Sequence, residues 1–301
     1  MDLRQFSYFR AVARHRSISA AASELGVAQP TLTKSIRALE LELDVVLFHR
    51  LPRGVELTPS GASFLTHVEA VQVQIRDARR EIESLRQGTI GSVNIGAGPA
   101  WLRRHLPQAV ARSIARHPGL RVAVQSGFDD VLLRDLRQGT LDFVVAELPS
   151  PDKSQDLELT LLSSDELRVC CRARHPLARA RGVAMSDLLA YPWIMPPHGT
   201  RAQTRLSALF TSANLPAPEP AVESESLAFL LQIIRDSDAL SFTVSTTLLP
   251  PEGRGLTLLD VPGLSALREA GVIRRRGAWL SPAAAAVIGE LRAVCELMPR
   301  N

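Results

Sequence analysis

The sequence predicts an α/β chain in three parts: a winged helix-turn-helix over residues 1–58, a long linker helix over 59–89, and a two-lobed α/β region over 90–301. Three observations carry this. The first stretch holds short helical periodicities and then two strand-like pieces around a Pro-Gly turn. The second has apolar residues at alternating spacings of four and three. From Gly91 onward, short apolar runs alternate with helical stretches, the pattern of α/β units around a largely parallel sheet. Gln87-Gly88 and Ile90-Gly91 mark the boundary.

Composition narrows the class. Of 301 residues, 46% are hydrophobic and 22% charged, which excludes a wholly disordered chain. No window approaches 18 uninterrupted apolar residues, so no transmembrane helix or membrane partner is expected. The start, Met1-Asp2-Leu3-Arg4-Gln5-Phe6, lacks the apolar run of a signal peptide, so a cytoplasmic protein is expected. Basic residues exceed acidic by 35 to 31, a balance that permits nucleic acid without demanding it. Lys34 and Lys153 are the only lysines. The three cysteines, Cys170, Cys171 and Cys295, have no CxxC spacing and read as buried, inert thiols.

Leu3, Phe6, Phe9 and Val12 suit one face of a first helix. Ser19 can cap a second, Ala20–Leu25, which Gly26 ends. Gln29-Pro30 opens a third, reaching about Glu42, with Leu32, Ile36, Leu39 and Leu43 on its apolar face. The opposite face holds Pro30, Thr33, Lys34 and Arg37. Such a helix suits the major groove, where its N-terminal side chains meet base edges. Gln29 can pair with adenine, Arg37 with guanine or phosphate, and Thr31 and Thr33 with phosphate or a thymine methyl. A merely solvated polar face has the same pattern.

The strand-like pieces Phe48-His49-Arg50 and Val55-Glu56-Leu57 flank Leu51-Pro52-Arg53-Gly54. This hairpin presents Arg50 and Arg53, as a wing over phosphates would. Thr58-Pro59-Ser60 then starts a helix, with a cap followed by Pro at its first position. In it Phe64, Val68, Val71, Ile75, Ala78, Ile82 and Leu85 form a heptad pattern. That points to a dimerising linker helix; a helix packed on its own chain's core is the alternative.

Beyond Gly91, strands are expected at Val93–Ile95, Leu120–Gln125, Leu141–Ala146, Leu167–Cys171, Trp193–Met195, Ala239–Thr243 and Val272–Arg276. A helix reaching about His117, another over Asp129–Gln138 and a last one over Pro282–Leu297 join them. A chain that builds one lobe, then a second, and returns makes a hinged cleft, with ligands at strand ends near helix N-termini. The expected lobes are about 90–163 with 267–301, and about 164–266.

No HExxH, GxSxG, P-loop or GxGxxG after a strand occurs, and Gly96-Ala97-Gly98 reads as a tight turn. The seven histidines show no paired-ligand spacing. Neither enzyme chemistry, metal nor cofactor is expected.

The runs Ser17-Ile18-Ser19-Ala20-Ala21-Ala22, Gln29-Pro30-Thr31-Leu32-Thr33-Lys34-Ser35-Ile36-Arg37-Ala38-Leu39-Glu40, Leu47-Phe48-His49-Arg50 and Leu57-Thr58-Pro59-Ser60-Gly61 resemble, in order and spacing, the LysR-type transcriptional regulators. Gly139-Thr140-Leu141-Asp142-Phe143 and His175-Pro176-Leu177 resemble patterns of that family's effector domain. Ala28 departs from it, standing where a Ser or Thr often caps the recognition helix.

The resemblance implies a bacterial regulator that binds promoter DNA as a homodimer or homotetramer, recognises a partly palindromic operator, answers to a small-molecule effector, and alters access of RNA polymerase. It implies an effector domain similar to periplasmic solute-binding proteins. Its cleft would be lined by Pro99, Ala100, Phe128, Asp129, the 196–200 loop with His198 and Thr200, Glu225, Ser226, Phe242 and Thr243. Residues 100 and 129 are Ala and Asp where many relatives carry Ser or Thr. An ionised Asp129 facing the cleft would repel an anionic effector and suit a neutral, cationic or hydroxyl-bearing one. Alternatively, Asp129 caps a helix beginning at Asp130. A regulator of the same fold responding to redox state or to a protein partner is the other functional reading.

Overall fold

Helix α1 (Leu3–His15) begins at a reciprocal cap. The Asp2 carboxylate accepts from the Gln5 N–H, and the Gln5 side chain accepts from the Asp2 N–H, both at 2.8 Å. Helix α2 (Ile18–Leu25) is capped by Ser17, two residues before the expected Ser19; the Ser17 hydroxyl accepts from Ala20 at 3.3 Å. Helix α3 (Gln29–Leu43) starts at Ala28 with no side-chain cap, as its sequence implies. Strands β1 (Phe48–Leu51) and β2 (Gly54–Leu57) pair antiparallel as the wing. Thr58 then caps helix α4 (Pro59–Gln87), accepting from the Gly61 N–H at 2.9 Å while its hydroxyl donates to the Val46 carbonyl. This computed structural model describes residues 1–87, 90–251 and 253–297, without the side chains of Leu85 and Gln87. The expected boundary residue Gly88 and heptad side chain Leu85 therefore lie outside the described residues.

Two compact units result, Met1–Glu83 and Ser84–Asn301, so the division falls inside α4 and not at its ends. The first is organised around Phe9, Val12, Ala21, Leu32, Ile36, Leu39, Leu47 and Val55. Val68 of α4 is buried in this core, and the Phe64 ring meets Phe6 and Phe9 edge-on. These two heptad positions thus follow the intrachain alternative. Farther along, Val71 and Ile82 stand 40% and 66% exposed. Two glycines permit the close approaches. A Cβ on Gly61 would lie 2.1 Å from the Leu47 carbonyl oxygen, and one on Gly54 2.3 Å from that of Arg16.

The second unit opens with β3 (Ser92–Ala97), a 3-10 turn (Trp101–Arg103), α5 (His105–Arg116), β4 (Arg121–Ser126), α6 (Asp129–Arg137) and β5 (Phe143–Glu147). β3 pairs parallel with both β4 and β5, as a right-handed βαβαβ run allows. The long β6 (Leu157–Arg172) follows, then β7 (Trp193–Met195), α7 (Arg201–Ser212), β8 (Pro220–Glu223), α8 (Leu227–Asp236), β9 (Ser241–Val244), β10 (Leu256–Leu258), β11 (Ser265–Arg275) and α9 (Pro282–Glu296).

The largest sheet runs β10-β6-β11-β5-β3-β4, with β9 also on β6, and a small parallel pair joins β7 to β8. The sheet is mixed, which corrects the expectation of a largely parallel one. β11 is antiparallel to both β5 and β6, because the chain leaves and re-enters the first lobe along two paired strands. The expected short strand at Leu167–Cys171 is part of β6, and that at Val272–Arg276 overlaps the end of β11, which stops at Arg275. Polar residues such as Ser163, Ser164, Asp165 and Glu166 had hidden the rest, since a strand exposed on one face carries no unbroken apolar run. The ladder shifts register at Ala270/Gly271, where a Cβ on Gly271 would stand 1.9 Å from the Thr160 carbonyl oxygen.

One core gathers Val93, Ile95, Phe143, Val145 and Val272 under α5 and α9. Another gathers Leu167, Val169, Trp193, Phe210 and Phe242. β6 and β11 contribute to both, so the lobe limits near 163 and 267 fall inside continuous strands. Among the described residues, no helix is long and apolar enough to cross a membrane.

Candidate functional site

Two surfaces hold the residues singled out by the sequence. On α3, the buried Leu32, Ile36 and Leu39 fix the roll of the helix. That leaves Gln29, Pro30, Thr31, Lys34 and Arg37 exposed on the opposite side, with Thr33 half-buried between them. Among the described residues, no side-chain hydrogen bond or ion pair engages Gln29, Lys34 or Arg37. Arg50 and Arg53 are exposed on the wing. One contributor went unread. The Glu40 carboxylate accepts from the N–H groups of Leu47 and Phe48, at 2.8 and 3.3 Å, and so ties the helix to the wing. Glu40 lies in the quoted motif, but only the fold reveals its partner.

The second surface is a cavity of about 100 Å³ at the carboxyl ends of β3 and β5 and the N-termini of α6, α7 and α8. Pro99, Ala100, Phe128, Asp129, Thr200, Glu225, Phe242 and Thr243 line it, as the resemblance implies. His198 and Ser226 do not. His198 is exposed to solvent. Ser226 instead caps α8, accepting from Phe229 at 3.3 Å.

The wall also includes Trp101, Glu147, Arg201, Thr247 and Arg268, which sequence reasoning missed. Trp101 and Arg201 are next to expected residues and could have been found by extending those loops. Arg268 lies in the unrecognised part of β11, so no sequence signal pointed to it.

Asp129 does not cap a helix starting at Asp130. Helix α6 begins at Asp129 itself, and Phe128 takes the cap position without a side-chain bond. The Asp129 carboxylate lies 3.2 Å from Arg201 Nε. Arg201 Nη1 donates to the carbonyl oxygens of Glu147 and Leu148, at 3.3 and 2.9 Å. Arg205 Nη2 stands 2.6 Å from the Glu147 carboxylate. Arg268 grips Asp165 with two bonds of 2.7 Å. Burial pushes the Asp129 carboxyl up to about 6 against the pull of Arg201, and the neighbouring Glu147 charge adds to the push. The indole N–H of Trp101 and the hydroxyls of Thr200 and Thr247 are buried without a hydrogen-bond partner.

Fold and site together define a winged helix-turn-helix DNA-binding protein that carries a ligand-binding α/β domain. Residues 3–62 match the family described as bacterial regulatory helix-turn-helix protein, lysR family, and residues 86–296 match the LysR substrate binding domain. The chain is 30% identical over 304 residues to the HTH-type transcriptional regulator GbpR of Azospirillum brasilense, spanning 100% of this chain and 89% of that one. It is 31% identical to the HTH-type transcriptional regulator GalR of Pseudomonas putida, over 97% of this chain and 73% of the relative. In fold it is similar to full-length CbnR complexed with its target DNA, with a TM-score of 0.61 at 22% identity, covering 98% of this chain and 100% of that one. The chain belongs to the LysR family of transcriptional regulators. It binds DNA through its N-terminal domain and carries an effector-binding domain behind it.

Proposed function

We propose that the protein recognises a partly palindromic promoter operator as a homodimer or homotetramer joined through α4, and that a small molecule in the cavity sets its regulatory state. The observation that carries this reading is the exposed, unengaged polar face of α3. Gln29 and Arg37 read base edges there, Thr31, Thr33 and Lys34 hold phosphates beside Pro30, and Arg50 and Arg53 of the wing add backbone contacts. Val71, Ile75, Ala78 and Ile82 supply the self-association stripe of α4. A ligand acts by binding two arrangements of the effector domains with different affinity, which alters operator spacing or bending and the access of RNA polymerase.

The redox alternative has little physical support in the thiols. Burial pushes Cys170 up to about 12 and Cys171 and Cys295 up to about 11, so none presents a reactive thiolate near neutral pH.

Selection from a random-duplex pool at fixed salt tests the reading. The wild-type chain enriches a partly palindromic site. Arg37→Ala loses on the order of 1–3 kcal/mol of affinity for it and relaxes one position. Equal enrichment by both proteins would contradict the assigned face.

A further inference from the structure

Arg14, His15 and Arg16 close α1 as a run of basic residues, and their surroundings differ. Arg14 and His15 both reach the Glu24 carboxylate of α2. Arg16 is exposed, and among the described residues no side-chain hydrogen bond or ion pair engages it. It ends α1 in the left-handed conformation, φ 51° and ψ 24°. The other non-glycine residues with positive φ among those described are Asp44 and Asn214, both of types that enter this region readily. For an arginine the conformation is uncommon.

That conformation ties Arg16 to the wing. Its carbonyl oxygen accepts from the Val55 N–H at 2.9 Å. Val55 lies opposite Arg50 in the β1–β2 ladder, so its N–H points away from β1 and Arg16 flanks the outer edge of β2. The contact is near the tip of the hairpin and not at its base. A Cβ on Gly54, in the turn that carries Arg53, would stand 2.3 Å from the same oxygen. The base pair of Phe48 and Leu57 packs into the core instead.

Arg16, Arg50 and Arg53 thus surround one hairpin tip, all exposed and none ion-paired among the described residues. Their mutual repulsion goes uncompensated within the chain, and a phosphate backbone supplies the missing countercharge. The helix that starts beside Arg16 is α2, capped by Ser17. As the first helix of a helix-turn-helix, it crosses the DNA backbone.

We infer that Arg16 is a further DNA-backbone contact, holding a phosphate between the start of α2 and the wing tip without reading sequence. The inference rests on the wing lying over phosphates, as proposed above.

Fluorescence anisotropy with the full-length protein over a range of salt concentrations tests this, on the duplex enriched by the wild type and on an unrelated duplex. Arg16→Gly suits φ 51° and removes the guanidinium. It should lower the slope of log affinity against log salt by about 0.9 for each protomer on the duplex, equally for both duplexes. The enriched sequence should stay the same. Arg16→Lys, which keeps the charge, should keep the wild-type slope. Arg53→Gln reports on the wing itself and should lower the slope as Arg16→Gly does. A wild-type slope in Arg16→Gly with a lowered one in Arg53→Gln overturns the inference and leaves the wing reading standing. Wild-type slopes in both contradict the wing reading as well. A slope lowered equally in Arg16→Lys and Arg16→Gly traces the effect to the backbone and overturns the inference.

Discussion

The DNA-facing unit and the ligand cavity place their functional residues in opposite ways. On α3 the candidate contacts are a few turns of one helix, and the buried Leu32, Ile36 and Leu39 decide which side faces out. Around the cavity they come from β3, β5, β9 and β11, three helix N-termini and the loops between, meeting only after long-range pairing. The first surface depends on one local periodicity. The second depends on the register of β11 against β5 and β6, and it fails if that register slips.

Each unit has a glycine that separates the two. Gly271→Val should cost about 3 kcal/mol or more, because its Cβ must displace the Thr160 carbonyl in the central ladder. Gly61→Val should act comparably on the first unit through the Leu47 carbonyl. Denaturant unfolding with a probe in each unit would check this. The account expects Gly271→Val to spare α1–α3 and Gly61→Val to spare the cavity.

The next effect is a pH dependence confined to the cavity. The native pKa of Asp129, about 6, lies above the 3.8 of an ordinary aspartate, so the folded protein holds a proton that the unfolded chain releases. Stability from this group is full below pH 3.8 and is lost as pH rises through about 6. A shift of that size corresponds to about 3 kcal/mol at most. Asp129→Asn should remove this loss, so that its stability curve falls less than the wild-type curve over that window. A parallel fall in both would reject the assignment.

The smallest effect belongs to the helix start. Ala28 has the extended backbone of a cap, φ −67° and ψ 135°, and its carbonyl accepts from Thr31 and Leu32 at 3.0 and 3.2 Å, but it has no side-chain oxygen to add a bond to the first turn. Ala28→Ser should stabilise the first unit by about 0.5–1 kcal/mol, read as a shift in its denaturation midpoint. No change would mean that the Ala28 carbonyl, which accepts from Thr31 at 3.0 Å, is already enough for a first turn in which Pro30 has no N–H to satisfy.

The contrast also explains what the sequence could reveal. Helices α1–α3, the wing and the start of α4 follow local periodicity and turn chemistry, and the motif around Gln29–Glu40 has a single helical reading. The cap on α2 moved to Ser17 because two serines compete within one turn. In the second unit, Val93, Phe143 and Val272 announce buried strands, yet the exposed halves of β6 and β11 alternate polar and apolar residues and leave no clear run. Arg268 was lost with them. The family resemblance supplied Asp129 and Phe242, while only the fold brings Glu147 and Thr247 to the same wall. His198 was misplaced because proximity in a loop does not fix which way a side chain turns.

The most direct measurement compares operator affinity, at one salt concentration, for the wild type, Arg37→Ala and Thr247→Val without ligand, using the duplex enriched by the wild type. The account predicts that Arg37→Ala loses on the order of 10- to 100-fold while Thr247→Val keeps its affinity. Loss in Thr247→Val with retention in Arg37→Ala would contradict the division of labour between the two regions.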